Sequence, residues 1–314
     1  MVIGIISGLI TCALWGLTFV APKSVSPFSV WDLTVARYTI FGLCCLALMI
    51  APKFRPSCMT SNQKLTGLLL GGVGYVGYFL SAAFAVKLAG PAVPPVIIGT
   101  MPIFLALIGN FKDRTVSWGA LSTPLCLILV GVLAVNSSTI LHPDLGGDDV
   151  VWGIAFSFVA LVIWIAYGVM NSAIMRRPDA PDGLQWSGLQ GIGAAISSLP
   201  LLLMTSFDAV DTISAADWYR FIAWALTMGI AGSWLATYCW TIASRRLPLA
   251  LVAQLIVAET VFGLMFGFIH EERWPLAAEA AGALCQIAGV LIAISLFARK
   301  QKTRTLSDPE RNPA

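Results

Sequence analysis

Charge is what this sequence has least of. Only 11% of its 314 residues are Asp, Glu, Lys or Arg, whereas soluble domains carry roughly 25%. With 58% apolar residues and a mean hydropathy of +0.83, the chain has too little charge to coat a globule of its size. Apolar runs of about 20 residues recur along it, each long enough to cross a bilayer core of ~30 Å. The sequence therefore predicts an all-α polytopic membrane protein.

Enzyme and cofactor motifs are also missing from the sequence. The two histidines, His142 and His270, fall in predicted loops, and neither a zinc-protease motif nor a Gly-rich nucleotide-binding loop is present. Of the seven cysteines, all but Cys58 lie inside apolar runs, and none has metal-ligand spacing. Residues 299–314 form a short basic tail, which we interpret as a cytoplasmic topology anchor. We expect no enzyme activity, no cofactor, no metal and no nucleic-acid partner.

Ten apolar runs are predicted to cross the membrane. The first starts at the N-terminus without a basic segment ahead of it and is too long for a signal peptide, so we expect it to be retained. The connections are short, and no soluble domain is predicted. The runs cover residues 2–22, 31–51, 64–88, 91–111, 118–135, 151–172, 184–204, 219–243, 249–270 and 275–297.

Lys and Arg are distributed unevenly between the two predicted sides of the membrane. Arg37 lies inside a span, and only Lys23, Lys87, Arg220 and Arg273 fall on one side, whereas all the others fall on the opposite side. The positive-inside rule then predicts that both termini are cytoplasmic.

The two halves of the chain repeat one another. The stretch Thr100–Ala134 contains two apolar helices joined by a charged turn, and the same pattern returns over Thr260–Ile292. Because each half has five spans, the second copy must lie upside down relative to the first. Many secondary transporters have such an inverted repeat and bind their substrate near the midplane, between the copies. The predicted repeats cover residues 1–136 and 150–298.

Several features resemble the drug/metabolite transporter superfamily, and specifically its EamA-type exporters. They are the two five-helix copies, the unit P-x8-F-K-D-R-x16-G-V-L that begins at Pro102, the Val35-Ala36-Arg37 segment and the A-L-W-G opening. The stretch from Ile163 to Tyr167 is similar to the amino-acid exporters of the YddG type, which move aromatic and other hydrophobic amino acids out of bacterial cells. The resemblance covers about residues 3–297 and implies a multi-pass protein of the bacterial inner membrane.

Glu259 lies ten residues into the ninth predicted span, about 15 Å along the helix axis and hence near the bilayer centre. It departs from the family pattern, because the family's proline is replaced by Thr260 beside it and the first copy has Met101 at the matching position. An ionised carboxylate at this depth costs at least ~2.5 kcal/mol. We interpret Glu259 as a proton-coupling group or as the partner of a substrate ammonium group. The alternative is a neutral acid that bonds to a neighbouring helix.

Aromatic residues at mid-span depth suit a site that stacks an aromatic ring or holds a cation, although packing is the alternative role for any single one. Three pairs are spaced so that each shares a helix face: Tyr75 with Tyr78, Trp164 with Tyr167, and Trp234 with Tyr238. The candidate substrate contacts are Trp15, Tyr78, Thr100, Met101, Trp164, Tyr167, Trp234, Tyr238 and Glu259.

Other notable residues are given structural roles. Arg37 and Glu279 lie at similar depth near the outer ends of their spans, so we expect an ion pair, or Arg37 extending to the interface. Buried polar residues either orient a substrate or bond between helices: Thr11, Gln190, Gln254 and Gln286. Tryptophans at span ends are predicted to form an interfacial belt: Trp31, Trp118, Trp152, Trp186, Trp218 and Trp274.

Together these features predict a monomeric secondary transporter in the lipid bilayer. Its expected substrates are small amphipathic metabolites, aromatic and hydrophobic amino acids first, exported by alternating access around a midplane cavity. One alternative is an exporter of organic cations or drugs with proton antiport through Glu259. Another is a non-transporting membrane scaffold or an intramembrane enzyme. A cavity lined by the aromatic set would favour transport, and a packed centre would favour the scaffold.

Overall fold

The computed structural model describes residues 2–101, 103–104, 107–108, 117–135, 143–175, 177–206, 213–246 and 249–307, and all regular elements within these ranges are helical. In chain order the α-helices are α1 Val2–Gly16, α2 Ala21–Ser24, α3 Val30–Leu48, α4 Ser61–Gly71, α5 Tyr78–Ala89, α6 Val93–Ile98, α7 Trp118–Val135, α8 Pro143–Met175, α9 Gly183–Ser198, α10 Ala215–Leu226, α11 Ala236–Arg246, α12 Leu249–His270 and α13 Ala277–Ser307. Short 3₁₀ segments extend α1 over Leu17–Phe19 and α9 over Leu199–Met204.

Side-chain caps set the starts of several helices. Ser29 and Asp32 exchange side-chain and backbone hydrogen bonds at the start of α3, and Thr60 and Gln63 do the same at α4. At α9 the Asp182 carboxylate accepts from two backbone amides. These contacts satisfy amide groups that a helix leaves free in its first turn, and they define the helix boundaries.

Two long helices contain π-helical segments. The segment Gly72–Gly77 joins α4 to α5, and the segment Thr227–Leu235 joins α10 to α11. Both contain a pair of glycines three positions apart, Gly74 with Gly77 and Gly229 with Gly232. Because π-segments are rare and frequently lie at functional sites, their occurrence in both halves directs attention to the side chains around them.

Six helical stretches in the described residues are long and apolar enough to cross a bilayer. They are Val2–Phe19, Val30–Leu48, Ser61–Ala89, Asp148–Met175, Gly183–Met204 and Ala215–Trp240. Two further apolar helices, Trp118–Gly131 and Ala258–His270, are shorter. Six of the ten predicted spans are thus confirmed as capable of crossing a membrane. The span predicted over 91–111 falls partly outside the described residues, and the full count of ten stays a prediction.

Helices from the two halves of the chain pack against each other. The first helix α1 contacts α11 and α12, while α8 contacts α5 and α6. The remaining large contacts pair α3 with α9, α4 with α9, and α7 with α13. Small residues make the closest approaches, since a Cβ added to Gly71 would run into the Gln190 carbonyl and one added to Gly193 would run into the Leu68 carbonyl.

Candidate functional site

Glu259 lies in the interior of the helix bundle. It is carried by α12 with 7% of its surface exposed. In the part of the chain that the structure describes, its carboxylate has no hydrogen-bond or salt-bridge partner. The Cys12 thiol of α1 and the Tyr78 hydroxyl of α5 lie close enough to interact with it electrostatically. A buried carboxylate without a cationic partner is costly, so its retention here favours a functional role.

A small cavity opens beside Glu259. Its volume is about 10 Å³, roughly the space that one water molecule needs. The residues that line it are Phe19, Pro95, Ile98, Gly99, Met101, Trp164, Ile256, Glu259 and Thr260. Met101 and Glu259, which mark the position where the two halves differ in sequence, therefore both border one cavity.

Trp164 on α8 is the residue around which the predicted aromatic contacts gather. Its ring stacks on Tyr78 at 4.7 Å between centroids and on Tyr167 at 5.0 Å. The Trp15 ring meets it edge-on at 6.0 Å. These separations are those of favourable aromatic pairs. Four candidates from three helices thus form one aromatic cluster, and Trp164 connects this cluster to the cavity of Glu259.

Polar side chains continue from this cluster towards α9. The hydroxyls of Tyr75 and Tyr167 both donate to the Gln190 Oε1 atom, at 3.2 and 2.9 Å. Gln190 in turn donates to the Asn171 Oδ1 atom at 3.2 Å, and the Trp186 indole donates to the same oxygen at 2.7 Å. A buried network in which each member is satisfied holds the side chains in one geometry. It therefore fixes the orientation of Tyr167, and with it the stacked Trp164.

The structure places two predicted contacts elsewhere. Trp234 and Tyr238 stack on each other at 5.7 Å, as their spacing indicates. They line a second cavity of about 20 Å³, together with residues of α3 and α9 such as Cys45 and Gly188. Glu259 does not line this second cavity. Thr100 is near the first cavity in sequence, but its hydroxyl donates to the Ile97 carbonyl at 2.6 Å.

The two cavities are too small for an amino acid. In this conformation the Trp164 ring stacks on those of Tyr78 and Tyr167, and the central midplane cavity stays a prediction. Substrate binding at these residues requires that the rings separate.

The expected pairing of Arg37 with Glu279 is wrong. Glu279 accepts two hydrogen bonds from the Arg273 guanidinium, at 2.6 and 2.8 Å, and caps the start of α13 through the Leu276 amide. The hydrogen bonds that Arg273, in the loop before α13, donates to the Glu279 and Glu271 carboxylates hold its pKa above the usual range. Arg273 is closer in sequence to both carboxylates and satisfies them. Arg37 is instead buried, with 5% of its surface exposed, and does not extend to the interface.

Two residues of the polar network were misjudged or missed from sequence. The position of Trp186 near a span end predicts a residue of the interfacial belt, but only 2% of its surface is exposed. Asn171 has no distinctive signal by itself, although it lies four residues after Tyr167 and seven after Trp164, which places it on the same face of α8. That spacing is the sequence signal by which it could have been found. Elsewhere the Thr11 hydroxyl donates to the Ala236 carbonyl of a neighbouring helix, which is the second of the two roles predicted for it.

Known proteins similar to this chain are membrane proteins and transporters. Residues 2–137 match the EamA-like transporter family. The inner membrane protein YtfF of Escherichia coli is 26% identical over 98% of this chain and all of its own length. A protein of Haemophilus influenzae named as an uncharacterized transporter is 24% identical and covers 85% of this chain and 84% of itself. The uncharacterized transporter YoaV of Bacillus subtilis is 22% identical over 96% of this chain and 99% of itself.

One solved crystal structure has a similar fold. It superposes with a TM-score of 0.64 at 20% identity, and the match covers 94% of this chain and 98% of the other. At this identity the likeness bears on the fold alone.

Proposed function

We propose that the chain is an EamA-type secondary transporter that exports small amphipathic metabolites, with aromatic and hydrophobic amino acids as its first substrates. The names of the relatives support transport and disfavour an enzyme. In this proposal the protein lies in the bacterial inner membrane, as the Escherichia coli relative does.

The observation that carries the proposed substrate class is the position of Trp164. One face of the site offers stacked aromatic rings, and the same indole borders the cavity of the buried Glu259. An aromatic amino acid has a ring that stacks on such rings and an ammonium group that pairs with a carboxylate. When the rings separate, a substrate of this kind replaces the contacts that Trp164 makes with Tyr78 and Tyr167.

Alternating access is supported by how the two halves exchange contacts. The helix α3 of the first half packs on the π-segment Thr227–Leu235 of the second, and α9 of the second half packs on the π-segment Gly72–Gly77 of the first. Such reciprocal pairing is expected of an inverted repeat. We therefore propose ten spans in two five-helix repeats, residues 1–136 and 150–298, that rock against each other. Because one chain carries both repeats, we propose a monomer.

Export of organic cations with proton antiport is the second candidate. It is favoured by the buried Glu259 carboxylate, which has no cationic partner among the described residues, and by the aromatic rings beside it. A proton and a cationic substrate would then compete for one carboxylate. The packed interior is also compatible with a scaffold, which would not transport at all.

Counterflow in proteoliposomes separates these functions. Vesicles that contain the purified protein are loaded with unlabelled phenylalanine or leucine, and entry of the labelled amino acid is measured with and without a pH gradient. We expect accumulation well above protein-free vesicles for both amino acids. Entry of a labelled organic cation alone would select the antiporter, and no entry of any of these compounds would select the scaffold.

The cytoplasmic position of both termini is proposed from the distribution of Lys and Arg. The test fuses alkaline phosphatase, active only in the periplasm, or green fluorescent protein, fluorescent only in the cytoplasm, after residue 307. We expect fluorescence without phosphatase activity. The opposite pattern would invert the assigned orientation, and fusions in the loop around residue 180, expected to match the C-terminus, provide the control.

A further inference from the structure

We propose that Arg37, Tyr78 and Glu259 form a recognition site for both charges of a zwitterion, in which Arg37 binds the substrate carboxylate and Glu259 binds its ammonium group. The inference rests on the proposed export of amino acids and adds to it a residue that was expected to be structural. With Arg37 included, the site fits a zwitterion and not only an amphipathic cation.

Arg37 is a buried cation without an anionic partner among the described residues. Its Nε atom donates to the Ser233 hydroxyl at 3.1 Å, and its Nη2 atom makes a longer contact of 3.4 Å with the Gly232 carbonyl. The guanidinium lies 4.2 Å from the centre of the Phe79 ring. These contacts orient the plane of the Arg37 guanidinium. Its Nη1 atom is buried without a hydrogen-bond partner. A guanidinium is suited to bind a carboxylate through a donor that is left free in this way.

Tyr78 is linked to Glu259 through Trp164, because its ring stacks on the Trp164 indole, which borders the cavity of Glu259. The Tyr78 hydroxyl is buried without a hydrogen-bond partner, and it interacts electrostatically with both Arg37 and Glu259. Leaving a buried hydroxyl unpaired is unfavourable, so the unpartnered Tyr78 hydroxyl favours a ligand that pairs with it. A hydroxyl can donate to a carboxylate or accept from an ammonium, and it therefore fits either end of a zwitterion.

Arg37 and Glu259 form no salt bridge with each other, so neither neutralises the charge of the other. A single cation would pair with Glu259 and leave Arg37 uncompensated in the interior. A zwitterion supplies one opposite charge to each, and its side chain then lies at the aromatic rings of Trp164 and Tyr167. Burying both charges is costly unless both are paired.

Substrate analogues that lack one charge test this assignment. Uptake of labelled phenylalanine, phenylalanine amide and 3-phenylpropanoate is measured in proteoliposomes above protein-free vesicles. The amide keeps the ammonium but lacks the carboxylate, and the propanoate has the reverse. The readout is the ratio of phenylalanine to amide uptake within each protein, which does not depend on how much protein has folded.

We expect wild-type protein to prefer phenylalanine to the amide by about tenfold or more, since each charged hydrogen bond contributes about 1.5–3 kcal/mol. In Arg37→Gln the ratio should fall to about one while uptake of the amide persists, and Arg37→Lys should retain part of the preference. In Glu259→Gln the preference over 3-phenylpropanoate should be lost instead. Arg177→Gln, which changes an exposed loop residue, should keep the wild-type ratios.

Two outcomes overturn the inference. In the first, the Arg37→Gln protein still prefers phenylalanine to phenylalanine amide. In the second, the Arg37→Gln protein takes up neither compound, and Arg37 is then a structural residue. Failure of the proposed function looks different, because wild-type vesicles would then take up neither phenylalanine nor leucine.

Discussion

Glu259→Gln is expected to lower export of amino acids from proteoliposomes by at least about tenfold and to abolish the dependence of export on pH. Glutamine keeps the size of the side chain but cannot ionise, and only an ionised carboxylate pairs with a substrate ammonium. Export by the wild-type protein should therefore rise from acidic to alkaline buffer. Among the described residues, the titratable groups that face Glu259 are the Cys12 thiol and the Tyr78 hydroxyl, and neither carries a charge in its ordinary form at neutral pH.

The transport activity that Glu259→Gln loses distinguishes the two proposed roles of the Glu259 carboxylate. Loss of counterflow as well as net export indicates that the carboxylate binds the substrate. Loss of only the component driven by a pH gradient indicates proton coupling and favours the antiport of organic cations. Unchanged transport at every pH would exclude both roles. Glu272→Gln is the matched control, because Glu272 is an exposed carboxylate that should not affect transport.

Gly71→Ala is expected to destabilise the protein strongly. A methyl group at this position would meet the backbone of Gln190, where α4 and α9 lie in close contact. Overpacking usually costs about 1–3 kcal/mol, and we expect the upper end or more here because a backbone carbonyl cannot rotate away as a side chain can. Gln190 also accepts hydrogen bonds from the Tyr75 and Tyr167 hydroxyls, so a displacement of α9 would disturb these contacts too.

The measurement is the midpoint of thermal unfolding of detergent-solubilised protein, followed by fluorescence-detected size exclusion. Gly119→Ala is the control, since nothing lies within 4 Å of a Cβ added to this exposed glycine. It should leave the midpoint unchanged or raise it, because alanine favours a helix by about 1 kcal/mol over glycine. Equal midpoints for Gly71→Ala and Gly119→Ala would show that the helices tolerate a wider spacing.

Local spacing alone determined which aromatic side chains lie together on a helix. Tyr75 and Tyr78 both contact α8, at Tyr167 and Trp164, as their spacing of three indicates. The stacked pair Trp234 and Tyr238 likewise follows from a spacing of four. A helix imposes these neighbours whatever surrounds it, so they can be predicted from a sequence without knowledge of the fold.

Only the tertiary structure decided the partners of the charged residues. Their similar depth in the membrane predicts that Arg37 pairs with Glu279, but many residues lie at the same depth. The packing of α3 on the π-segment Thr227–Leu235 instead places Arg37 beside Ser233. The same packing of distant helices buried Trp186 against Asn171.

The two copies differ in sequence at Met101 and Glu259, and in the structure both residues border one cavity. Apolar runs and helical spacing thus determined the class of protein and the faces of its helices, because both depend on neighbours along the chain. The grouping of Trp164, Tyr78, Arg37 and Glu259 required the tertiary structure, because these residues come from different helices whose contacts depend on how closely small residues let the helices approach.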